Sequence, residues 1–195
     1  MTGPAVSAYV DRFLHKTETV LASLDRRTLG DMIGRLSALR ARGGRLFLLG
    51  VGGSAANASH AVNDFRKIAG IEAYAPTDNV SELTARINDD GWDTSFAEWL
   101  RGSRLSSGDM VMVLSVGGGS ETTSANIVRA VDFAKAEGAQ VLGIVSRDGG
   151  HTARVADSCL LIPPQSADTV TPLAESFQAL VWHLLATALE KEVAQ

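Results

Sequence analysis

Two histidines and two carboxylates in this sequence stand where helical spacing leaves them free for chemistry. His60 and Asp64 are four residues apart in a segment that reads as helix from Ser54 to about Ala69, so they sit one above the other on a single face. The apolar stripe of that segment, Ala58, Ala61, Phe65 and Ala69, lies about 120° away at roughly 100° per residue. Core packing therefore needs neither His60 nor Asp64. Near the end of the chain Glu175 and His183 fall in a second helical pattern, about 170–193, whose stripe is Phe177, Val181, Leu184 and Ala188. His183 lies well off that stripe, and Glu175 precedes it by about two turns on a neighbouring face. Two imidazoles and two carboxylates suit a divalent metal with nitrogen and oxygen ligands, or an acid/base pair. A His and an Asp at this spacing equally suit a surface ion pair, and sequence alone does not bring two distant helices together. The other histidines are plainer. His15 sits among polar residues beside Lys16 and reads as a solvated surface side chain, while His151, after Gly149-Gly150, reads as a helix start.

A second kind of chemistry is written in glycine. Gly50-Val51-Gly52-Gly53-Ser54 and Ser115-Val116-Gly117-Gly118-Gly119-Ser120 each follow a short apolar run and each precede a helical segment. Strand, glycine turn and helix in that order aim backbone N–H groups and a helix N-terminus outward from the carboxyl end of a parallel sheet, where they hold anions. Neither turn matches the dinucleotide fingerprint or the nucleoside-triphosphate loop, so a small phosphate ester is the natural guest.

The elements that must position these groups alternate along the chain. Strands are expected at Arg45–Leu49, Glu72–Ala75, Met110–Leu114, Val141–Val145 and Cys159–Ile162, and helices fall between them. Ser54 is expected to cap the helix after the first turn, and the helix after the second is expected from about Glu121 to Ala136. Asn88-Asp89-Asp90-Gly91 reads as a turn. Alternation of this kind means an α/β three-layer sandwich around a five-stranded parallel sheet. Ahead of it, residues 1–44 read as a helical arm that must bury its stripe on the sheet or on another subunit, and a subunit contact is favoured. Residues 45–195 form the α/β domain. The formal net charge of −4 without a basic block argues against nucleic acid or an anionic membrane as partner. The single cysteine, Cys159, lies in an apolar run and reads as a core residue. No charged and then apolar leader opens the sequence, and a cytoplasmic protein is expected.

These features together resemble the sugar isomerase (SIS) fold. Those that carry the resemblance are Gly52-Gly53-Ser54 with His60 six positions on, Asn88-Asp89-Asp90-Gly91, the loop from Ser115 to Ser120, Arg147-Asp148-Gly149-Gly150, and His183 ahead of Leu189-Glu190-Lys191-Glu192. Within that fold the chain is similar to the phosphoheptose isomerases, which interconvert sedoheptulose 7-phosphate and an aldoheptose 7-phosphate. The resemblance covers nearly the whole chain. It implies a flavodoxin-like strand order and a homotetramer with active sites at subunit interfaces. It also implies catalytic roles for Asp64 and His183, with Glu175 as an alternative base. Substrate contacts are implied from Gly52, Gly53, Ser54, Asn88, Asp89, Ser115, Val116, Gly117, Gly118 and Ser120. Zinc-containing members imply a metal set of His60, Asp64, Glu175 and His183.

The departures from that family carry their own expectations. Val51 replaces the usual Asn of the first turn, removing a side-chain donor and acceptor. In the second turn Val116, Gly117 and Gly119 replace residues of a Ser-Thr-Ser-Gly-Asn-Ser pattern, so backbone N–H groups are expected to take over from hydroxyls. Asp64 is one methylene shorter than the usual Glu, and Glu175 replaces a Gln. A four-ligand set with a charge of about −2 is expected to hold a divalent cation firmly and to make the protein metal-dependent.

Overall fold

A computed structural model describes residues 3–193. Helices α1 (Pro4–Ser23) and α2 (Arg26–Ala41) lead into β1 (Leu46–Leu49), α3 (Gly53–Lys67) and β2 (Ala73–Tyr74). These are followed by α4 (Val80–Asp90), α5 (Ser95–Gly102), β3 (Met110–Ser115), α6 (Ala125–Ala136), β4 (Gln140–Val145), α7 (Gly150–Val155), β5 (Ser158–Leu161) and α8 (Val170–Val193). All strand pairs are parallel, in the order β2-β1-β3-β4-β5. This is the doubly wound order whose switch point lies between β1 and β3, and both glycine turns leave the sheet there.

Alternate strand residues feed two separate cores, as the period of two requires. Leu46, Leu48, Met110, Met112, Leu114, Leu142 and Ile144 pack with apolar residues of α2, α3 and α8. Phe47, Leu49, Val111, Val113 and Val141 pack on the other face against α5 and α6. The first 44 residues do not behave as one arm. Met32, Leu36 and Leu39 place α2 inside the first core, whereas Val6, Tyr9, Val10, Leu14 and Leu21 leave α1 with a largely exposed apolar face. Lys16 ties α1 to the loop before α8, donating to Ser166 Oγ at 2.6 Å.

One ion pair sets the start of both strands that carry the glycine turns. Asp109, nearly buried, accepts from Arg45 Nη2 at 2.7 Å, Arg45 Nε at 3.0 Å and the Arg45 backbone N–H at 3.1 Å. Burial pushes the Asp109 carboxyl up, but the Arg45 guanidinium together with the backbone N–H groups of Arg45 and Ser106 outweighs it and holds the group below the usual carboxylate range.

Three local expectations are corrected. Helix α3 starts at Gly53 with Gly52 as its cap, and Gly52 takes φ +63°, a region that favours glycine; Ser54 is a buried second residue of the helix and not its cap. Helix α6 starts at Ala125, because residues 120–123 close a turn in which Ser120 N donates to Thr123 O at 2.8 Å, and Ser124 is left-handed. Asn88, Asp89 and Asp90 are the last residues of α4, and only Gly91, at φ +84°, turns the chain. No helix among the described residues is long and apolar enough to cross a membrane.

Candidate active site

Helices α3 and α8 run side by side on one face of the sheet, and their contacts rise in step. Glu175 meets Gly53, Asn57 Nδ2 donates to Glu175 O at 2.9 Å and to Gln178 Oε1 at 3.2 Å, and His60 meets His183. That parallel course brings together residues more than a hundred positions apart. His60, Asp64 and His183 each present a ligand atom, all within 4.8 Å of one another. His183 Nε2 is 3.7 Å from Asp64 Oδ2, and the two imidazole rings stand perpendicular with centroids 5.3 Å apart.

The orientation of His183 follows from its partners. Its Nδ1 lies 2.7 Å from the carbonyl of Ala179. A carbonyl only accepts, so Nδ1 carries a proton, and Nε2 is the ring nitrogen left facing Asp64. Trp182, fully buried, stacks on His183 at 3.5 Å and 26° and meets His60 edge-on at 4.7 Å. Asp64 is also held, by Asn63 Nδ2 donating to Oδ1 at 2.8 Å, which leaves Oδ2 facing His183.

Two imidazoles and a carboxylate are the donor set of a catalytic zinc site with an open position. Ligands at about 2.0–2.1 Å in a tetrahedron lie roughly 3.3 Å apart, close to the 3.7 Å seen between His183 Nε2 and Asp64 Oδ2. The residues therefore fit a divalent cation. Glu175, expected as the fourth ligand, is not part of this group within the chain. It precedes His183 by two turns, about 12 Å along α8, and its carboxylate lies against the Cα of Gly53, where a β-carbon would come within 2.7 Å of Oε1.

The second turn forms a different kind of site. Ser115 Oγ accepts from Gly118 N at 3.1 Å. The carbonyls of Gly118 and Gly119 turn away toward α7, where Gly118 O accepts from Thr152 N at 3.0 Å and Thr152 Oγ1 at 2.7 Å, and Gly119 O accepts from His151 N at 2.9 Å. A β-carbon on Gly118, at φ +68°, would collide with the carbonyl group of Gly149. With its carbonyls occupied, the loop opens into a hollow of about 270 Å³ lined by Gly117, Gly119, Ser120, Thr123, Ser124, Arg147, Asp148, Gly150 and Arg154. A larger hollow of about 530 Å³ adjoins it, sharing Ser120 and Arg154, and contains the His151–Asp132 pair at 2.6 Å. His151 is indeed the second residue of a short helix.

Not every expected residue joins these sites. Asn88 and Asp89 lie at the end of α4, exposed, with Asn88 Nδ2 donating to Asp89 Oδ1 at 2.8 Å, and line neither hollow. Val116 sits at the base of the second turn, accepting from Ser146 N at 3.1 Å. Conversely, Thr123, Ser124, Arg147 and Arg154 border the second hollow without having been singled out as contacts. Arg147 lies in a turn recognised from the sequence, but nothing in its spacing aims it at the earlier loop. Trp182 gave no signal either, since consecutive helix residues usually point about 100° apart.

A family model for the SIS domain matches residues 9–146. The chain belongs to the SIS family. Phosphoheptose isomerase of Rhodospirillum rubrum is 32% identical to it over 167 residues, covering 83% of this chain and 84% of that protein. The lincomycin biosynthesis protein LmbN of Streptomyces lincolnensis is also 32% identical, covering 96% of this chain and 75% of that one. Among solved structures, phosphoheptose isomerase from Neisseria gonorrhoeae superimposes with a TM-score of 0.81 at 24% identity, covering 95% of this chain and 97% of that chain, which shows the shared fold. This SIS protein is an enzyme of the aldose–ketose isomerase class.

Proposed function

We propose that the protein interconverts sedoheptulose 7-phosphate and D-glycero-D-manno-heptose 7-phosphate, or a stereochemical variant, through an enediol. The observation that carries this reading is the convergence of His60, Asp64 and His183 from two helices on one point. Aldose–ketose exchange needs one group to take the proton from the carbon beside the carbonyl and another to give one to the carbonyl oxygen, each within about 2.6–3.2 Å of its atom. In this reading Asp64, whose Oδ2 faces His183, takes the carbon-bound proton. His183 presents Nε2 to the same point, and in its protonated form it donates to the carbonyl oxygen. Trp182 and the Ala179 carbonyl hold that ring still. His60, Asp64 and His183 would hold a divalent cation, zinc by the donor set, and it would supply Lewis acidity in place of the proton from His183. A carboxylate committed to a metal is a weaker base, and Glu175, from its place against Gly53, is then the alternative base.

The phosphate belongs in the hollow of the second turn, and the whole protein acts in the cytoplasm as a homotetramer with active sites at its subunit interfaces. The exposed face of α1 supports that assembly, because its apolar residues continue into a hollow lined by Leu21, Leu24, Leu29, Leu180 and Leu184. Isomerisation of another phosphosugar is the second reading, favoured by the equal identity to two relatives with different names. Incubation with sedoheptulose 7-phosphate in deuterated water, followed by NMR, tests the proposal: deuterium is expected on the carbon beside the carbonyl of the aldose. Turnover of a different phosphosugar in its place selects the second reading, and turnover of none rejects both.

A further inference from the structure

The second hollow is bordered by two exposed arginines, Arg147 and Arg154, that form no ion pair among the described residues. Both line it, and among the described residues neither side chain makes a hydrogen bond, an ion pair or a ring contact. The one carboxylate on the same wall, Asp148, accepts from Gly150 N at 3.2 Å. Ser124 and Arg147 border this hollow at φ +56° and +55°, and only one other described non-glycine residue takes a positive φ. A non-glycine residue in that region costs about 1–2 kcal/mol, and such cost concentrates where a ligand is held. Arg147 Cδ lies 4.0 Å from where a β-carbon of Gly117 would stand, so its side chain runs along the loop itself. Opposite it, Ser120, Thr123 and Ser124 put hydroxyl-bearing residues on the hollow's rim.

We infer that Arg147 and Arg154 bind the substrate's phosphate, replacing with two guanidinium groups the hydroxyl contacts that Val116, Gly117 and Gly119 remove from the loop. The inference rests on the reading of this hollow as the phosphate site. Planar guanidinium forks bind phosphate oxygens in pairs, and such charge-assisted bonds are about twice as strong as neutral ones. Glycine at the loop positions removes side chains that would stand between the arginines and the anion. The arrangement selects for a phosphorylated sugar by charge, where a hydroxyl-lined loop selects by hydrogen bonding.

Inorganic phosphate is the probe, its dissociation constant measured by calorimetry on the full-length protein, beside kcat and KM for sedoheptulose 7-phosphate. Arg147→Gly is the chosen variant because glycine suits φ +55°; Arg154→Ala is its companion. Each is expected to weaken phosphate binding and raise KM by about tenfold to a hundredfold, with kcat within about threefold. Arg154→Lys should recover part of the loss, and added salt should weaken wild-type binding more than that of the double variant. Arg129→Ala changes a cation that lines only the neighbouring hollow, and should leave phosphate binding within about twofold. Wild-type binding of phosphate with unchanged affinity in both arginine variants overturns this inference and leaves the phosphate reading standing. Equal losses in Arg129→Ala also overturn it, by showing a diffuse field. A wild-type protein that binds no phosphate ends both.

Discussion

The two glycine turns leave neighbouring strands at the same switch point and are spelled alike, yet they are built for opposite purposes. The first, Gly52-Gly53-Ser54, is closed by its own chain: Glu175 reaches over from α8 and rests its carboxylate on Gly53 at the positive end of α3. A phosphate arriving there meets a like charge. The second, Ser115 to Ser120, stays open, its carbonyls tied back to α7 and its hollow walled by Arg147 and Arg154. The difference lies in what a later element places across each turn. On the proposed function, the first turn serves the helix assigned the reacting groups, and the second serves the anion proposed to anchor the substrate.

The largest effects should separate the two ends by kinetic signature. On the proposed mechanism His183→Ala and Asp64→Asn remove the groups assigned to the transferring protons, so kcat should fall by about 10²–10⁴-fold with KM nearly unchanged. Steady-state kinetics on each variant, beside the arginine variants, make the comparison. A His183→Ala enzyme that loses affinity and keeps kcat would break the division between a reacting end and a holding end.

Next in size is Gly118→Ala. Its backbone is left-handed at φ +68°, and its added carbon would run into the carbonyl of Gly149, a backbone group that cannot swing aside. A destabilisation of about 3 kcal/mol is expected in urea unfolding. Little change would mean that the second turn is not held against α7 as described.

Both turns depend on one ion pair, so Asp109→Asn should weaken them together. The variant leaves Arg45 short of its carboxylate at the start of β1 and β3. Because Arg45 is 28% exposed, water repays part of the loss, and the expected cost is about 2 kcal/mol at neutral pH. The Asp109 carboxyl is held below its ordinary value in the fold. Its contribution is therefore complete above the unfolded pKa of about 3.9 and disappears as pH falls through the lower folded value. The gap between wild type and variant should accordingly begin to close below about pH 4 and vanish once pH has passed the lower folded value, and a gap that persists or grows in acid would show that the carboxylate's charge is not the cause.

How much of this was legible in the chain depends on how local each signal is. The alternation of apolar runs and glycine turns set out the five strands and the parallel sheet, because period and turn chemistry act over a few neighbours. His60 and Asp64 were readable as a pair for the same reason, one helical turn being a local distance. His183 could be marked as free of its helix's apolar stripe, but its meeting with Asp64 depends on α3 and α8 running parallel, a property of the tertiary fold that the resemblance supplied and spacing did not. Glu175 shows the limit most clearly. Its membership of a ligand set was taken from a family pattern, while its rise along α8 places it two turns from His183 and beside Gly53. Arg154 and Thr123 were invisible for a similar reason: each reaches the second hollow only because the loops after β3 and β4 pack on each other.

Gly53→Ala carries the smallest expected change in stability and bears most directly on the first turn. Gly53 is an ordinary helical residue, and the nearest atoms to its added carbon belong to the tip of Glu175, which can rotate away. The loss in unfolding free energy should stay under about 1 kcal/mol, and alanine's better helix propensity offsets part of it. The carboxylate, however, must leave its place. If Glu175 only closes the turn, the vacated helix N-terminus becomes available to anions, and inorganic phosphate should inhibit the variant more strongly than the wild type with kcat preserved. If Glu175 is the base, kcat should fall toward that of Glu175→Gln while phosphate inhibition stays as it was. An unchanged kcat with unchanged phosphate inhibition would show that the contact between Glu175 and Gly53 does not set the character of the first turn, and the contrast with the second would lose its physical basis.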